Sequence, residues 1–350
     1  MTAAYRLQCP ICSAIYEPNA ELGNCRCGGR LLVTGDFASL RNTLGKEQLL
    51  AAPASLWRYK SLLPEAGQPI TLGEGFTPLL PLRSVATKLG YSDLWLKDEG
   101  QNPAGSFAAR GMSVAITAAR AFGVKEFAAA CPAGEASALA IYAAAAGLRA
   151  HIFTPSSISK TNYVASMAAG AAITLVEGSL ADCTRQASER NRAEGWFDFP
   201  NAAEPYRIEG EKTVGFEIAE QFAWSLPDAI VLPAGYGEIA LSKAFRELEQ
   251  LEWIDGKHPK VIAAATENRG SSIDAALELT RTEGIFVSPE GGACIAALCD
   301  LLESGGLKAS DRVVVLNPAS GFKHSEAYGT RFIHVGGGEQ DKLGGLILPR

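Results

Sequence analysis

The chain has 350 residues, is 47% hydrophobic and 20% charged, and carries a net charge of −6. That is chain enough for one large core or two smaller ones, and the acidic balance excludes bulk binding to nucleic acid, which needs a basic face. No apolar run reaches the roughly 18 to 20 residues that span a bilayer, and "MTAAYRLQCP" lacks the apolar core of a signal peptide, so no membrane is expected and a cytoplasmic location is the default.

Residues 1–35 stand apart as a ribbon-like segment. Cys9-x2-Cys12, a short polar spacer and Cys25-x-Cys27-Gly-Gly place two cysteine pairs on tight turns. That is the ligand set of a tetrahedral, structural zinc site, with no open position for chemistry. A ribbon of thiols without metal is the alternative, because the second pair is one residue tighter than the common spacing. Residues 36–70 form a connector in which Trp57, Tyr59, Leu62 and Leu63 read as a segment packed on a larger body.

From residue 71 onward, aliphatic runs alternate with amphipathic ones. Strands are predicted at 93–99, 126–131, 149–155, 172–178, 229–235, 260–266 and 312–318. Helices are predicted at 106–122, 135–147, 159–169, 179–194, 209–223, 238–251, 272–283 and 290–304. Regular alternation implies an α/β fold with parallel sheets covered on both faces. The cysteines outside the ribbon, Cys131, Cys183, Cys294 and Cys299, read as small buried hydrophobes.

Ligands in such folds bind at the carboxyl ends of strands, near helix N-termini. Four strand-to-helix loops qualify: "NPAGSFAARG" (102–111), "CPAGEAS" (131–137), "PAGYGEIA" (233–240) and "NPASGFKH" (317–324). Each places glycine and small residues after a strand, where backbone N–H groups cradle a phosphate or carboxylate. Ser106 is positioned to cap the helix of the first loop, yet the next residues are Phe107, Ala108 and Ala109. None of them is an acid, a base or a nucleophile.

Six segments resemble the threonine synthases. They are the cysteine ribbon, "LWRYKSLLP" (56–64), "LGEGFTPLLPL" (72–82), "LWLKDEGQNPAGSF" (94–107), "RIEGEKT" (207–213) and "TEGIFVSPEGG" (282–292). Those enzymes belong to the tryptophan-synthase-β-like, fold type II group that uses pyridoxal phosphate. The resemblance covers nearly the whole chain in colinear order. It implies two parallel-sheet subdomains, a large one from 36–109 and 201–350 and a small one from 110–200, with the ribbon at 1–35. It also implies a dimer, either of identical chains or mixed with an active relative.

The resemblance further implies a set of cofactor positions, and several are changed here. The family's SFKDRG is "SFAARG", so Ala108 stands at the Schiff-base lysine and Ala109 at the aspartate, while Ser106 is kept. Gly134 stands where an asparagine meets the cofactor's 3′-hydroxyl. Gly235 and Gly237 remain from the phosphate cradle, but Glu238 puts an anion where the phosphate belongs. Pro318 replaces the residue that bonds the pyridine nitrogen. Only "NRG" separates the strand near 260 from the next helix, where the family inserts a longer wall of the cleft.

Three readings stay open. The chain is a pseudoenzyme acting as partner, scaffold or regulatory subunit, with pyridoxal phosphate not covalently bound. Or the cleft is repurposed for another small molecule, with Cys131 as a thiolate at a helix start and Glu135, Glu238 and His324 as acid–base groups. Or it still performs threonine synthase-type lyase chemistry, converting O-phosphohomoserine to threonine, with a lysine from elsewhere. Arg207, Glu209, Glu211 and Lys212 are expected to form a local ion-pair and capping network. Thr77, near the substrate in the family, reads here as a cap or turn.

Overall fold

The computed structural model describes residues 5–18, 24–64, 67–199, 204–266, 268–329 and 331–332. The ribbon comprises β1 (Tyr5–Gln8), β2 (Ile15–Tyr16) and β3 (Leu32–Gly35), antiparallel in the order β2-β1-β3. Its Leu7, Leu31 and Val33 are buried in one cluster with the alanines of the helix that opens at residue 108. The ribbon is therefore seated on the body. Beyond a short helix α1 (Glu47–Leu50), Tyr59, Leu62 and Leu63 are buried as expected for the connector. The Tyr59 hydroxyl donates to Glu220 at 2.5 Å.

Two α/β sheets follow, parallel throughout but for one edge strand of the larger. The larger runs β11-β10-β12-β5-β4, from β4 (Leu79–Pro81), β5 (Asp93–Asp98), β10 (Ala229–Pro233), β11 (Lys260–Ala264) and β12 (Arg312–Asn317). The smaller runs β8-β7-β6-β9, from β6 (Glu126–Ala130), β7 (Arg149–Pro155), β8 (Ala172–Val176) and β9 (Phe197–Asp198). All its pairings are parallel. Every residue of β10 is buried, as a central parallel strand covered on both faces requires. β4, an antiparallel edge strand of three residues ending in proline, is not among the predicted strands, because so short a run carries no period.

The helices are α2 (Arg83–Leu89), α3 (Ala108–Ala121), α4 (Ala136–Ala146), α5 (Lys160–Ala168), α6 (Leu180–Glu194), α7 (Pro205–Glu211), α8 (Thr213–Gln221), α9 (Glu238–Gln250), α10 (Arg269–Glu283), α11 (Pro289–Glu303) and α12 (Ser325–Gly329). The single helix expected over 209–223 is two. α7 starts early because Glu204 accepts the Arg207 N–H at 2.6 Å and Pro205 takes the first helical position. Among the described residues no helix is long and apolar enough to cross a membrane.

α3 and α7 cross backbone to backbone. A Cβ on Gly210 would lie 2.0 Å from the Arg110 carbonyl oxygen, and one on Gly111 would meet Arg207 Cγ at 2.6 Å. The two glycines thereby bring the Arg207 side chain to the first turn of α3. Cys131, Cys183 and Cys294 are buried as expected, but Cys299 is exposed. α11 buries one stripe against the large sheet, and Cys299 falls outside it.

Candidate functional site

All four loops meet at one cavity of about 400 Å³. The first contributes Ser106, Phe107 and Ala108, the second Gly134 and Glu135, the third Tyr236, and the fourth Pro318, Ala319 and His324. Ile273 of α10, Pro289 and Glu290 of α11 and Glu326 of α12 close the remaining sides. The N-terminal parts of α10 and α11 thus line the cavity on the side after the short connection that follows β11.

The first and fourth loops are stapled together. Phe107 N–H donates to the Pro318 carbonyl at 2.8 Å, and Ser320 N–H donates to the Gly105 carbonyl at 3.0 Å. Ser106 Oγ accepts the Ala108 N–H at 3.2 Å just ahead of α3, whose N-cap is Phe107. What α3 presents to the cavity at Ala108 is a methyl group.

At the second loop, Glu135 faces the Arg207 guanidinium in a two-pronged pair of 2.8 and 2.6 Å. Arg207 Nε also donates to Glu211 at 2.7 Å. Burial pushes the guanidinium down, but Glu135 and Glu211 outweigh it and hold the group charged. The predicted pairs of the "RIEGEKT" segment form, and they reach further than expected. Lys212 bonds Glu209 at 2.6 Å and Glu247 at 2.7 Å, and Lys243 of α9 joins the same carboxylates.

At the third loop the Glu238 carboxylate turns back and accepts the Gly235 N–H at 2.7 Å. Gly237 caps α9 with φ +98°, and the Phe107 ring lies 3.2 Å from where its Cβ would be. No bulkier residue fits there without strain. At the fourth loop, Lys323 is buried and donates to Ser137 Oγ at 3.0 Å and the Gly134 carbonyl at 3.3 Å. Burial lowers its amine to about 8.

The proposed Cys131–Glu135–Glu238 constellation does not assemble. Cys131 is wholly buried in an apolar cluster and does not line the cavity. Burial, then the Glu135 charge, push its thiol well above the ordinary range, so the helix start does not make it a thiolate. Glu135 is committed to Arg207 and Glu238 to Gly235. His324 does line the cavity, with Nε2 3.9 Å from Glu290 Oε2. Thr77 is no turn cap. It is buried and donates to Glu99 at 2.7 Å, inside a cluster that also holds Lys97, Arg110 and Glu217.

Sequence reasoning did not single out Tyr236, Glu290, Lys323 or the Glu135–Arg207 pair. Lys323 and Tyr236 lay within motifs already marked, but nothing local to them signals burial. The pair joins residues 72 positions apart, which no local pattern reveals.

In the ribbon, the sulfurs of Cys9, Cys12, Cys25 and Cys27 all lie within 4.8 Å of one another. Cys9 and Cys27 are 3.5 Å apart, as are Cys12 and Cys25, and the Tyr16 hydroxyl lies 3.1 Å from Cys25 Sγ. Four sulfurs at about 2.3 Å from a tetrahedral ion sit about 3.8 Å from each other. The cluster can therefore hold a metal.

The sequence profile of the pyridoxal-phosphate dependent enzyme family matches residues 70–273. The chain is 29% identical to the threonine synthase of Methanocaldococcus jannaschii, over 91% of this chain and 93% of that one. It is 31% identical to the threonine synthase of Methanosarcina acetivorans, over 89% of this chain and 90% of that one. Among solved structures, O-ureido-L-serine synthase superposes with a TM-score of 0.61 at 20% identity, covering 76% of this chain and 95% of that one. The L-serine ammonia-lyase of Rhizomucor miehei gives 0.61 at 18% identity, covering 76% and 100%. These two share the fold. With two parallel α/β sheets, four loops on one cavity and relatives that match nearly end to end, the chain belongs to the pyridoxal-phosphate dependent enzyme family and is homologous to the threonine synthases.

Proposed function

We propose that this chain is a threonine synthase homologue that has left pyridoxal-phosphate chemistry and acts as a partner or regulatory subunit. The observation that carries the reading is the pairing of Ala108 with Glu238. Ala108 stands at the lysine position implied by the family motif and faces the cavity with a methyl group, which neither forms an imine nor moves a proton. Glu238 occupies the Gly235 N–H with its own carboxylate, where the family motif places the cofactor's phosphate. A second anion there is repelled and finds that donor taken.

The residues present do not fit pyridoxal phosphate. Pro318 offers the pyridine nitrogen no side-chain donor or acceptor. Lys323, the lysine packed behind the second loop, already donates to Ser137 and Gly134. A threonine synthase-type lyase is the weaker reading for these reasons.

The ribbon is assigned a structural zinc held by Cys9, Cys12, Cys25 and Cys27, supported by the spacing of their sulfurs. In a cytoplasmic setting those thiols stay reduced and free to take it. The chain pairs with a second copy or with an active relative, as the family's habit of dimerisation suggests.

One preparation of the full chain tests both parts. Mixed with pyridoxal phosphate, it is expected to give no aldimine band and no lysine adduct after borohydride. An adduct fixed on any lysine of the cleft overturns the reading. Metal analysis of the same preparation is expected to find one zinc per chain, and a metal-free, folded ribbon removes the zinc assignment.

A further inference from the structure

The four ribbon cysteines are not equivalent. Cys12 and Cys27 are exposed, whereas Cys9 and Cys25 are buried. Sulfur contacts of 3.5 Å join one of each kind, Cys27 with Cys9 and Cys12 with Cys25. Each pair thus has one thiol that solvent reaches and one held behind it. A thiol that is oxidised and a neighbour that resolves it stand in this relation. Each pair also crosses the ribbon, since Cys9 and Cys12 lie on one turn and Cys25 and Cys27 on the other.

The ribbon is also joined to the cleft. Leu7, Leu31 and Val33 share a buried cluster with Ala108, Ala109 and Met112 of α3, and β3 packs on α7. Glu211 of α7 holds Arg207, and Arg207 holds Glu135 at the cavity. Burial raises the Glu211 carboxyl, and the charges that oppose it are Arg207 and, after it, Arg30 of the ribbon. A change in the ribbon's seat therefore reaches the cleft through α3 and α7.

We propose that the ribbon is a reversible peroxide-sensitive switch, in which Cys27 and Cys12 are oxidised, Cys9 and Cys25 resolve them, and the ribbon's seat loosens. The Cys27 thiolate attacks hydrogen peroxide, keeps one oxygen as a sulfenic acid and releases hydroxide. The Cys9 thiolate then attacks that sulfur; the S–O bond breaks, a second hydroxide leaves and a disulfide forms. Cys12 and Cys25 do the same. Two peroxides are reduced, four thiolates give up four electrons, and each hydroxide takes a proton from solvent. No thiolate is then left to hold zinc. A disulfide is about 2.05 Å long, so sulfurs 3.5 Å apart are drawn together and the two turns shift against the body. A dithiol reverses the sequence.

The metal readout rests on the zinc assignment above. Hydrogen peroxide is titrated into the full chain, and free zinc is read with a chromogenic chelator. About one zinc is expected per two peroxides. Peptide mapping is expected to find Cys9–Cys27 and Cys12–Cys25, and dimedone present during oxidation to label Cys12 and Cys27 over their partners. Amide hydrogen exchange in β1, β3 and the first turn of α3 is expected to quicken at least about tenfold and to recover with dithiothreitol. C299S removes the other exposed thiol and is expected to change none of this. Zinc retained after Cys299 is oxidised, disulfides within one turn, or unchanged exchange once the disulfides form overturns the proposal. A chain without zinc defeats the metal assignment alone, and the mapped disulfides and the exchange then decide the switch.

Discussion

Two residues apart on the first turn of α3, Ala108 and Arg110 belong to different worlds. Arg110 is wholly buried and forks onto two carboxylates, bonding Glu99 at 2.6 and 2.8 Å and Glu217 at 2.5 and 2.7 Å. Lys97 completes the cluster on Glu217 at 2.8 Å. Ala108 instead borders a cavity that the Arg207–Glu135 ion pair also lines. The dry cluster ties β5, α3 and α8 together and tolerates no vacancy, because an unpaired charge there has no water to turn to. The cleft's charges can exchange one partner for another. Such a difference lets the scaffold stay fixed while residues of the cleft are free to vary.

The strongest way to break this comparison is E217Q. It leaves Arg110 and Lys97 facing Glu99 alone, and is expected to lower stability by about 3–5 kcal/mol, read as a shift in the urea midpoint. Burial pushes the Glu217 carboxyl up, but Arg110 and Lys97 outweigh it and hold it near 2. Its stabilisation is therefore full above the ordinary glutamate value of about 4.3 and is lost as pH falls toward about 2. The unsubstituted chain should lose stability more steeply than E217Q across that window. Equal slopes would show that the cluster is not the acid-sensitive part.

R207A probes the cleft side. It strands Glu135, which lines the cavity and has water within reach, so a smaller loss of about 1–3 kcal/mol is expected. A loss matching that of E217Q would erase the distinction between the two networks. The smallest effect is expected from E238A. Stability should change by less than about 0.5 kcal/mol, while inorganic phosphate should bind several-fold more tightly once the Gly235 N–H is released. Unchanged phosphate binding would mean that Glu238 is not what closes the cradle.

Much of the fold was legible because the two sheets announce themselves. "AIVLP" and the "VVVL" of "RVVVLN" are unbroken apolar runs, and β10 and β12 are parallel strands paired at the centre of the large sheet. Predicted strands begin where the observed ones do and overrun them by two residues at most, because the loops that follow also start with small or apolar residues. The break between α7 and α8 at Lys212 was not legible. At that position Lys212 is buried and pairs with Glu209 and with Glu247 of α9, contacts that no local period reveals. The exposure of Cys299 likewise depends on which stripe of α11 meets the sheet.

The sequence by itself determined the kind of protein: the alternation of strands and helices, the four loops at strand ends, the paired cysteines and the alanine at residue 108. Composition and local periodicity suffice for these, since each is set within a few turns of chain. Tertiary structure alone decided what the cleft contains. Glu135 meets Arg207 from 72 residues away, Cys131 is sunk beyond solvent, and Glu238 turns back onto the Gly235 N–H. Charge, burial and reactivity at a site are properties of neighbours brought from distant parts of the chain, and packing chooses those neighbours.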